Sequence, residues 1–116
     1  MNEMIQQLFD LTSDIRYVAV YHDGKLESSE RPGITNTSGG ESDKYEELIV
    51  NPTLLKLVTQ RGNIDCGGCR FVLIRYGHFF QYVAPIRDGH ISVCIELQAD
   101  PLALSNRINE VVKQSE

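Results

Sequence analysis

Residues 69–97, CRFVLIRYGHFFQYVAPIRDGHISVCIEL, contain three runs of β-branched, aromatic and other apolar residues. Two short turns, Gly77-His78 and Asp88-Gly89, separate the runs, and both are of the kind that closes a two-residue β-hairpin. Strands joined by such short turns pair in antiparallel fashion. The stretch therefore predicts a three-stranded antiparallel meander over CRFVLIRY (69–76), FFQYVAPI (79–86) and HISVCIEL (90–97).

An earlier stretch, RYVAVYHDGKLESSE, predicts a further hairpin. The residues from Tyr17 to His22 are β-branched or aromatic, and Asp23-Gly24 is a preferred pair for a tight turn. The segment from Lys25 to Glu30 would return as a mostly polar strand, which is typical of a sheet edge.

The segment between this hairpin and the meander is predicted to be helical. Asp43 with Glu46 three residues later resembles a capping box that opens a helix. Asn51-Pro52 should break or kink this helix, with Asn51 capping a new turn, and Gly62 should end it.

Helices are also predicted at both ends of the chain. Apolar residues recur at helical spacing over residues 2–13, and Asp100-Pro101 should cap a last helix whose Leu104 and Ile108 share one face. The element order is α-β-β-α-(α)-β-β-β-α. It places a five-stranded antiparallel sheet in an α+β domain, and the long helical connection lets the first hairpin lie apart from the meander.

Both faces of this sheet should be covered. In the last strand Ile91, Val93 and Ile95 alternate with His90 and Cys94, while the third and fourth strands are apolar on both faces. Strands of that kind need cover on both sides. We expect the terminal helices on one face, and the Pro-kinked helix or a partner subunit on the other.

Length and composition restrict the class of protein. A chain of 116 residues is the usual size of one domain, here residues 1–116. The net charge is −5 and no basic block occurs, which argues against a nucleic-acid partner. The N-terminus carries acids and no long apolar run, which argues against a signal peptide or membrane span. Three cysteines, an odd number, suit a reducing cytoplasm.

The central helical segment has more apolar positions than one amphipathic face requires. Such an excess on a helix that covers a sheet often continues into a partner, and a homodimer is the commonest small assembly. The alternative is that the kink folds all of these side chains onto the chain's own sheet. The candidate partner- or dimer-binding residues are Tyr45, Leu48, Ile49, Leu54, Leu55 and Val58.

Cys66 and Cys69 form a C-x-x-C pair around two glycines. A redox pair of this type needs a helix after it to stabilise the thiolate, but a strand pattern follows here. Zinc needs four ligands and the C-x-x-C pair supplies two, so His90 and Cys94, which share one face of the last strand, are additional metal candidates. We interpret the motif as a bend into the third strand with structural, unligated cysteines, and we expect no metal and no cofactor.

The element order resembles the roadblock/LC7 branch of the profilin-like fold over nearly the whole chain. The resemblance implies a five-stranded antiparallel sheet between terminal helices and a central helix. It also implies dimerisation through the central helix and the strand next to it, and a small Ras-like GTPase as one candidate partner. Pro52 departs from the usual central helix of those domains.

The start of the chain is also similar to a small uncharacterised archaeal family, in which a comparable hairpin precedes an R-x-G-I-type loop. That family implies no activity. The matching positions here are Ile15, Arg16, Tyr17, Val18, Gly24, Leu26, Arg31, Gly33 and Ile34.

Taken together, these features predict a non-enzymatic, cytoplasmic and dimeric interaction module that scaffolds or regulates a protein partner. One alternative is a small-ligand sensor in the manner of PAS or GAF domains, which share the order of two strands, helices and three strands. A second is a small thiol or zinc-binding protein, for which the cysteines alone argue.

Overall fold

A computed structural model describes residues 2–115 and shows a single antiparallel sheet with helices on both faces. This architecture confirms the predicted α+β class and element order. The elements are α1 (Asn2–Phe9), β1 (Ile15–His22), β2 (Lys25–Glu30), α2 (Gly40–Tyr45), a π-helical turn (Glu46–Val50), α3 (Asn51–Asp65), β3 (Val72–Arg75), β4 (Phe80–Ile86), β5 (Gly89–Ile95) and α4 (Pro101–Ser115).

The strands lie in the order β2-β1-β5-β4-β3, and every neighbouring pair is antiparallel. The meander and the first hairpin are therefore both confirmed. The expectation that the hairpin lies apart from the meander is wrong, because β1 pairs with β5 along its whole length. Gly89 permits this pairing: a Cβ there would lie 1.7 Å from the carbonyl oxygen of Tyr21.

Two of the three hairpin turns, Asp23-Gly24 and Gly77-His78, lie where they were predicted, and the last one is shifted. Asp23 and Gly24 have φ angles of 52° and 81°, as a tight turn of this kind requires. In the last hairpin Ile86 pairs with Gly89, so the turn residues are Arg87 and Asp88, one residue earlier than predicted. The reason is that Gly89 is needed inside the strand beside β1.

The terminal helices pack on one face of the sheet and form the main core with it. The apolar side of β5 lies at its centre, as the alternation of Ile91, Val93 and Ile95 predicts. Asp100 accepts a hydrogen bond from the backbone N–H of Ala103 at 3.1 Å and so caps α4, as expected.

The second face is covered by a helix that runs without interruption from Gly40 to Asp65, which we call the central helix. Of the break or kink predicted at Asn51-Pro52, the break does not occur, and Asn51 does not cap a new helix. Pro52 has no N–H and would clash with the carbonyl four residues back in a regular α-helix. The preceding turn is π-helical instead, and the N–H of Asn51 bonds to the carbonyl of Glu46, five residues back.

The central helix also begins and ends at other residues than predicted. It begins at Gly40, with Gly39 as its N-cap, and Asp43 accepts a hydrogen bond from Ser38 rather than opening a capping box. It ends at Asp65 rather than at Gly62. Cys66 is the C-cap, and its backbone N–H donates to the carbonyl of Gly62.

Other elements are shorter or shifted relative to the sequence pattern. Helix α1 ends at Phe9 rather than at residue 13. Beyond that point Arg31 Nη2 donates hydrogen bonds to the backbone carbonyls of Phe9 and Thr12, at 3.0 and 3.1 Å. Strand β1 begins two residues earlier than predicted, at Ile15, and β3 comprises only Val72–Arg75. The remaining strands match their predicted segments within two residues.

Candidate functional site

Apolar side chains remain exposed along the outer side of the central helix. Tyr45 is 62% exposed, Leu48 46%, Ile49 53% and Leu57 62%, and we call these four residues the outer helix surface. Ile64, near the end of the same helix, is exposed as well. Scattered single apolar residues are ordinary on a protein surface, whereas several on one helix indicate a contact surface.

The other predicted contact residues lie closer to the sheet. Leu55 is only 6% exposed and lies on the side of the central helix that faces the sheet. Leu54 and Val58 are partly buried. The predicted set therefore divides between an outward group (Tyr45, Leu48 and Ile49) and an inward group (Leu54, Leu55 and Val58). Leu57 joins the outward group.

A buried polar cluster lies between the central helix and the sheet. His90 Nε2 lies 2.9 Å from Glu47 Oε1, and Asn51 Nδ2 donates to the same oxygen at 3.0 Å. The hydroxyl of Tyr17 donates to the other carboxylate oxygen at 3.2 Å. Glu47 is 1% exposed and His90 is 2% exposed, so the helix and the sheet are joined by hydrogen bonds in the interior.

Burial and the charge of Glu47 raise the pKa values of two neighbouring side chains, Tyr17 and Cys94. Burial, followed by the nearby Glu47 carboxylate, raises the pKa of Tyr17 well above its usual range. The same two causes, in the same order, raise the pKa of the Cys94 thiol, so Cys94 is held in its neutral form. A phenol and a thiol held neutral in this way are poor nucleophiles.

The sequence pattern did not predict this cluster, although one signal was present. In β5, His90, Ser92 and Cys94 share one face of a strand. Polar side chains on a covered sheet face need hydrogen-bond partners on the element that covers them. Glu47 and Asn51 lie four residues apart on the central helix and supply that cover. In the sequence, Asn51 precedes Pro52 and is readily interpreted as a helix cap, so its role as a buried partner of Glu47 was not predicted.

A cavity of about 190 Å³ opens beside this cluster, between the first half of the central helix, the loop 34–38 and the sheet. We call it the helix–loop cavity. The residues that define it are Asp43, Glu46, Glu47, Tyr17, Tyr76 and Phe79.

Arg16 fixes the loop that borders the cavity. Its Nη1 donates to Glu96 at 2.9 Å, and its Nη2 donates to the carbonyls of Thr35 and Asn36 at 2.5 and 3.2 Å. The register of β1 and β5 shifts at Arg16, a β-bulge that allows its side chain to lie over the ring of Phe79 at 5.0 Å. Both terminal nitrogens of the guanidinium are therefore engaged within the chain.

The C-x-x-C segment forms the turn after the central helix. The carbonyl of Gly62 accepts hydrogen bonds from the N–H groups of Cys66 and Gly68 at 2.9 and 3.0 Å. Gly67 and Gly68 have φ angles of 80° and 85°, which glycine adopts readily. The segment is a bend that leads from the helix towards β3, as interpreted from the sequence.

The four candidate metal-ligating residues lie in two separate places. Cys66 is exposed and Cys69 is partly buried at the helix end, while Cys94 and His90 lie beneath the central helix. Among residues 2–115, no three His, Cys, Asp or Glu side chains come together as a metal ion would require. That cysteines 66 and 69 are unligated in the cell stays a prediction.

In the described part of the chain, no helix is long and apolar enough to cross a membrane. No protein-family model matches the sequence, and no curated protein is similar to it.

Solved structures are nevertheless similar to this chain in fold. A roadblock/LC7 domain from Streptomyces avermitilis superposes with a TM-score of 0.73 at 15% identity, covering 98% of this chain and 92% of that one. The gliding protein MglB from Thermus thermophilus gives a TM-score of 0.64 at 12% identity, with 97% and 85% covered. MglC from Myxococcus xanthus gives 0.60 at 8% identity, with 98% and 93% covered. The chain therefore has the roadblock/LC7 fold, an antiparallel five-stranded sheet between paired terminal helices and a central helix.

Proposed function

We propose that this chain is a non-enzymatic protein-interaction module that acts in the cytoplasm as a homodimer. The observation that carries the proposal is the outer helix surface. Four large apolar side chains, Tyr45, Leu48, Ile49 and Leu57, are each about half exposed or more on one helix. Covering them with a second copy of the chain would remove this apolar area from water, which is the main driving force of association.

The internal pairing of the polar cluster supports a role without catalysis. Glu47 and His90 are the residue types of general acids and bases, but their hydrogen bonds are made to one another and to Asn51 and Tyr17 beneath the helix. Both side chains are almost completely buried, and the carboxylate of Glu47, which borders the helix–loop cavity, already accepts hydrogen bonds from Asn51 and Tyr17. Their arrangement fits a structural role in holding the central helix on the sheet.

The fold supports a protein partner in addition to the second copy. The resemblance to roadblock/LC7 domains implies a small Ras-like GTPase as one candidate. The binding of such a GTPase, prepared with GDP and with a GTP analogue, can be measured by calorimetry. Saturable binding of either form supports this partner class, whereas no binding of either form argues against it.

The experiment that tests the proposed assembly compares two charge substitutions at exposed leucines. Leu48→Glu lies within the outer helix surface, and Leu102→Glu lies on α4, where Leu102 is 59% exposed. Burying an unpaired charge at an interface costs several kcal/mol, about 2 to 5. We expect light scattering to show a monomer for Leu48→Glu and a dimer for Leu102→Glu. A dimer that survives Leu48→Glu would contradict this interface.

A second candidate function, that of a small-ligand sensor, is favoured by the helix–loop cavity. Sensors of the kind considered from the sequence hold a ligand between sheet and helices, and the cavity lies in that position with Tyr17 and Tyr76 in its wall. Binding of a small molecule there would be compatible with the interaction module, because the outer helix surface faces away from the sheet.

A further inference from the structure

The helix–loop cavity is lined by more negative than positive groups. Asp43, Glu46 and Glu47 line it together with Glu30, and among the described residues of its wall only Arg16 has a permanent positive charge. Arg16 already forms an ion pair with Glu96 at 2.9 Å and donates to two loop carbonyls. An anionic ligand would therefore meet four carboxylates, while the described cation of the wall is engaged elsewhere.

Glu46 is a partly buried carboxylate of the cavity wall. In the described part of the chain neither Glu46 nor Asp43 forms an ion pair, and Glu46 only accepts a hydrogen bond from the hydroxyl of Tyr76 at 2.9 Å. Burial, with smaller contributions from the charges of Glu47 and Asp43, raises the pKa of Glu46. A positive charge in the cavity would stabilise the ionised form.

Aromatic rings form the other part of the wall. Tyr76 and Phe79 meet edge to face with their ring centres 5.8 Å apart, and Tyr17 contributes a third ring. Arg16 lies over the ring of Phe79, 5.0 Å from its centre, so the rings considered for a ligand are those of Tyr76 and Tyr17. Aromatic faces beside carboxylates attract organic cations, because the ring quadrupole and the charge act in the same direction.

The size and composition of the cavity restrict the ligand further. Its volume of about 190 Å³ is below the ~300–1,000 Å³ of pockets for drug-sized molecules. Asp43, Glu46 and Glu47 already have hydrogen-bond partners in Ser38, Tyr76 and the His90 cluster, and no metal-binding group of three ligands occurs among the described residues. These features suit a compact cation with an apolar body better than a metal ion.

We propose that the helix–loop cavity binds a small organic cation, an alkylammonium or alkylguanidinium group, between Glu46 and the rings of Tyr76 and Tyr17. The inference is independent of the proposed dimer. The same chemistry is offered by a free amine and by the lysine or arginine side chain of a partner protein.

The test is an NMR titration of the full chain with n-butylammonium and ethylguanidinium, with butanol and butyrate as neutral and anionic analogues. We expect saturable shifts at residues 34–38, 43–47 and 76–79 with the cations, at dissociation constants of about 1 mM or below. A capped Gly-Lys-Gly peptide is titrated in parallel. Saturation by the amine but not by the peptide assigns a free ligand, and saturation by both assigns a site that also accepts a side chain.

Two matched variants test whether the charge of Glu46 is responsible for binding the cation. Glu46→Gln should weaken binding of n-butylammonium about tenfold, since it removes the negative charge that strengthens the hydrogen bond to the ammonium group. Glu41→Gln removes an exposed acid from the same helix and should leave binding unchanged. Spectra of both variants report whether the fold is retained.

Three outcomes would overturn the proposal. One is no saturable shift with either cation. Another is binding of butanol or butyrate as tight as that of the cations. The third is equal weakening by Glu46→Gln and Glu41→Gln, which would show a general effect of net charge.

Discussion

His90 Nε2 and Glu47 Oε1 lie 2.9 Å apart in the interior and join strand β5 to the π-helical turn of the central helix. Asn51 Nδ2 donates to the same carboxylate oxygen, so one glutamate holds both the turn and the sheet. The π-helical turn comes directly before Asn51-Pro52, and Glu47 and Asn51 are both buried between the helix and the sheet. The helix is thereby fixed with its apolar outer side towards solvent.

The first prediction concerns this pair. Glu47→Ala should lower the free energy of unfolding by about 3 to 5 kcal/mol, because it leaves His90, Asn51 and Tyr17 without their buried acceptor. Urea denaturation at neutral pH measures the change. Glu41→Ala, an exposed acid on the same helix, is the control and should change stability by less than about 0.5 kcal/mol. Equal stability of Glu47→Ala and wild type would show that the cluster is not structural.

The second prediction concerns pH dependence. Burial, with the hydrogen bond and charge of Glu46, raises the pKa of Tyr76 to about 12. A raised tyrosine pKa means that the folded state favours the neutral phenol. Its contribution to stability is therefore complete below the unfolded value of about 10 and is lost as pH rises through the folded value.

Absorbance of the phenolate checks this expectation. The difference between the titrations of wild type and Tyr76→Phe should show one phenol with its midpoint near 12. In a Glu46→Gln background the midpoint should fall, since the hydrogen bond to a carboxylate and its charge are removed. A midpoint near about 10 in the wild type would be the opposite result.

The third prediction concerns the close approach of the C-x-x-C turn to the central helix. A Cβ on Gly62 would lie 2.6 Å from the carbonyl oxygen of Gly68. Gly62→Ala should destabilise the fold by about 1 to 3 kcal/mol despite the better helix propensity of alanine. Gly40→Ala is the control, because nothing lies within 4 Å of its Cβ position, and it should be neutral or stabilising. Thermal unfolding that ranks Gly62→Ala at or above wild type would disprove the contact.

The fourth prediction concerns the cysteines themselves. Replacing Cys66 and Cys69 together by serine should lower stability by roughly 1 kcal/mol at each position or less, since Cys66 is exposed and both are free thiols. Metal analysis of protein purified without added zinc, with circular dichroism of the double variant, measures the outcome. Stoichiometric zinc that disappears together with the fold in the variant would show a structural metal site.

Most of the fold could be predicted from the sequence because its signals are local. The alternation in β5 and the turn pairs Asp23-Gly24 and Gly77-His78 act over a few residues, and they determine which strands are neighbours along the chain. The pairing of β1 with β5 is a contact between distant segments. Gly89 is one sequence signal of this pairing, but a glycine at that position is also explained by a turn.

The position of the candidate site could be predicted only in part. Periodicity showed too many apolar residues on the central segment, but the π-helical turn decided which of them face outwards. Leu48 and Leu55 both belong to the predicted contact set, although Leu48 is 46% exposed and Leu55 is buried at 6%. A π-helical turn depends on how the helix packs over the sheet, and the sequence alone carries no periodic signature of it.

The central claim, that the outer helix surface mediates a homodimer, is tested most directly by sedimentation equilibrium of the wild-type protein over a range of concentrations. The mass of one chain is 13.1 kDa. We expect a species of twice that mass, with Leu48→Glu remaining at the mass of one chain at every concentration. A wild-type protein that stays at 13.1 kDa up to about 1 mM, a concentration that corresponds to only −4.1 kcal/mol of association, would contradict the account.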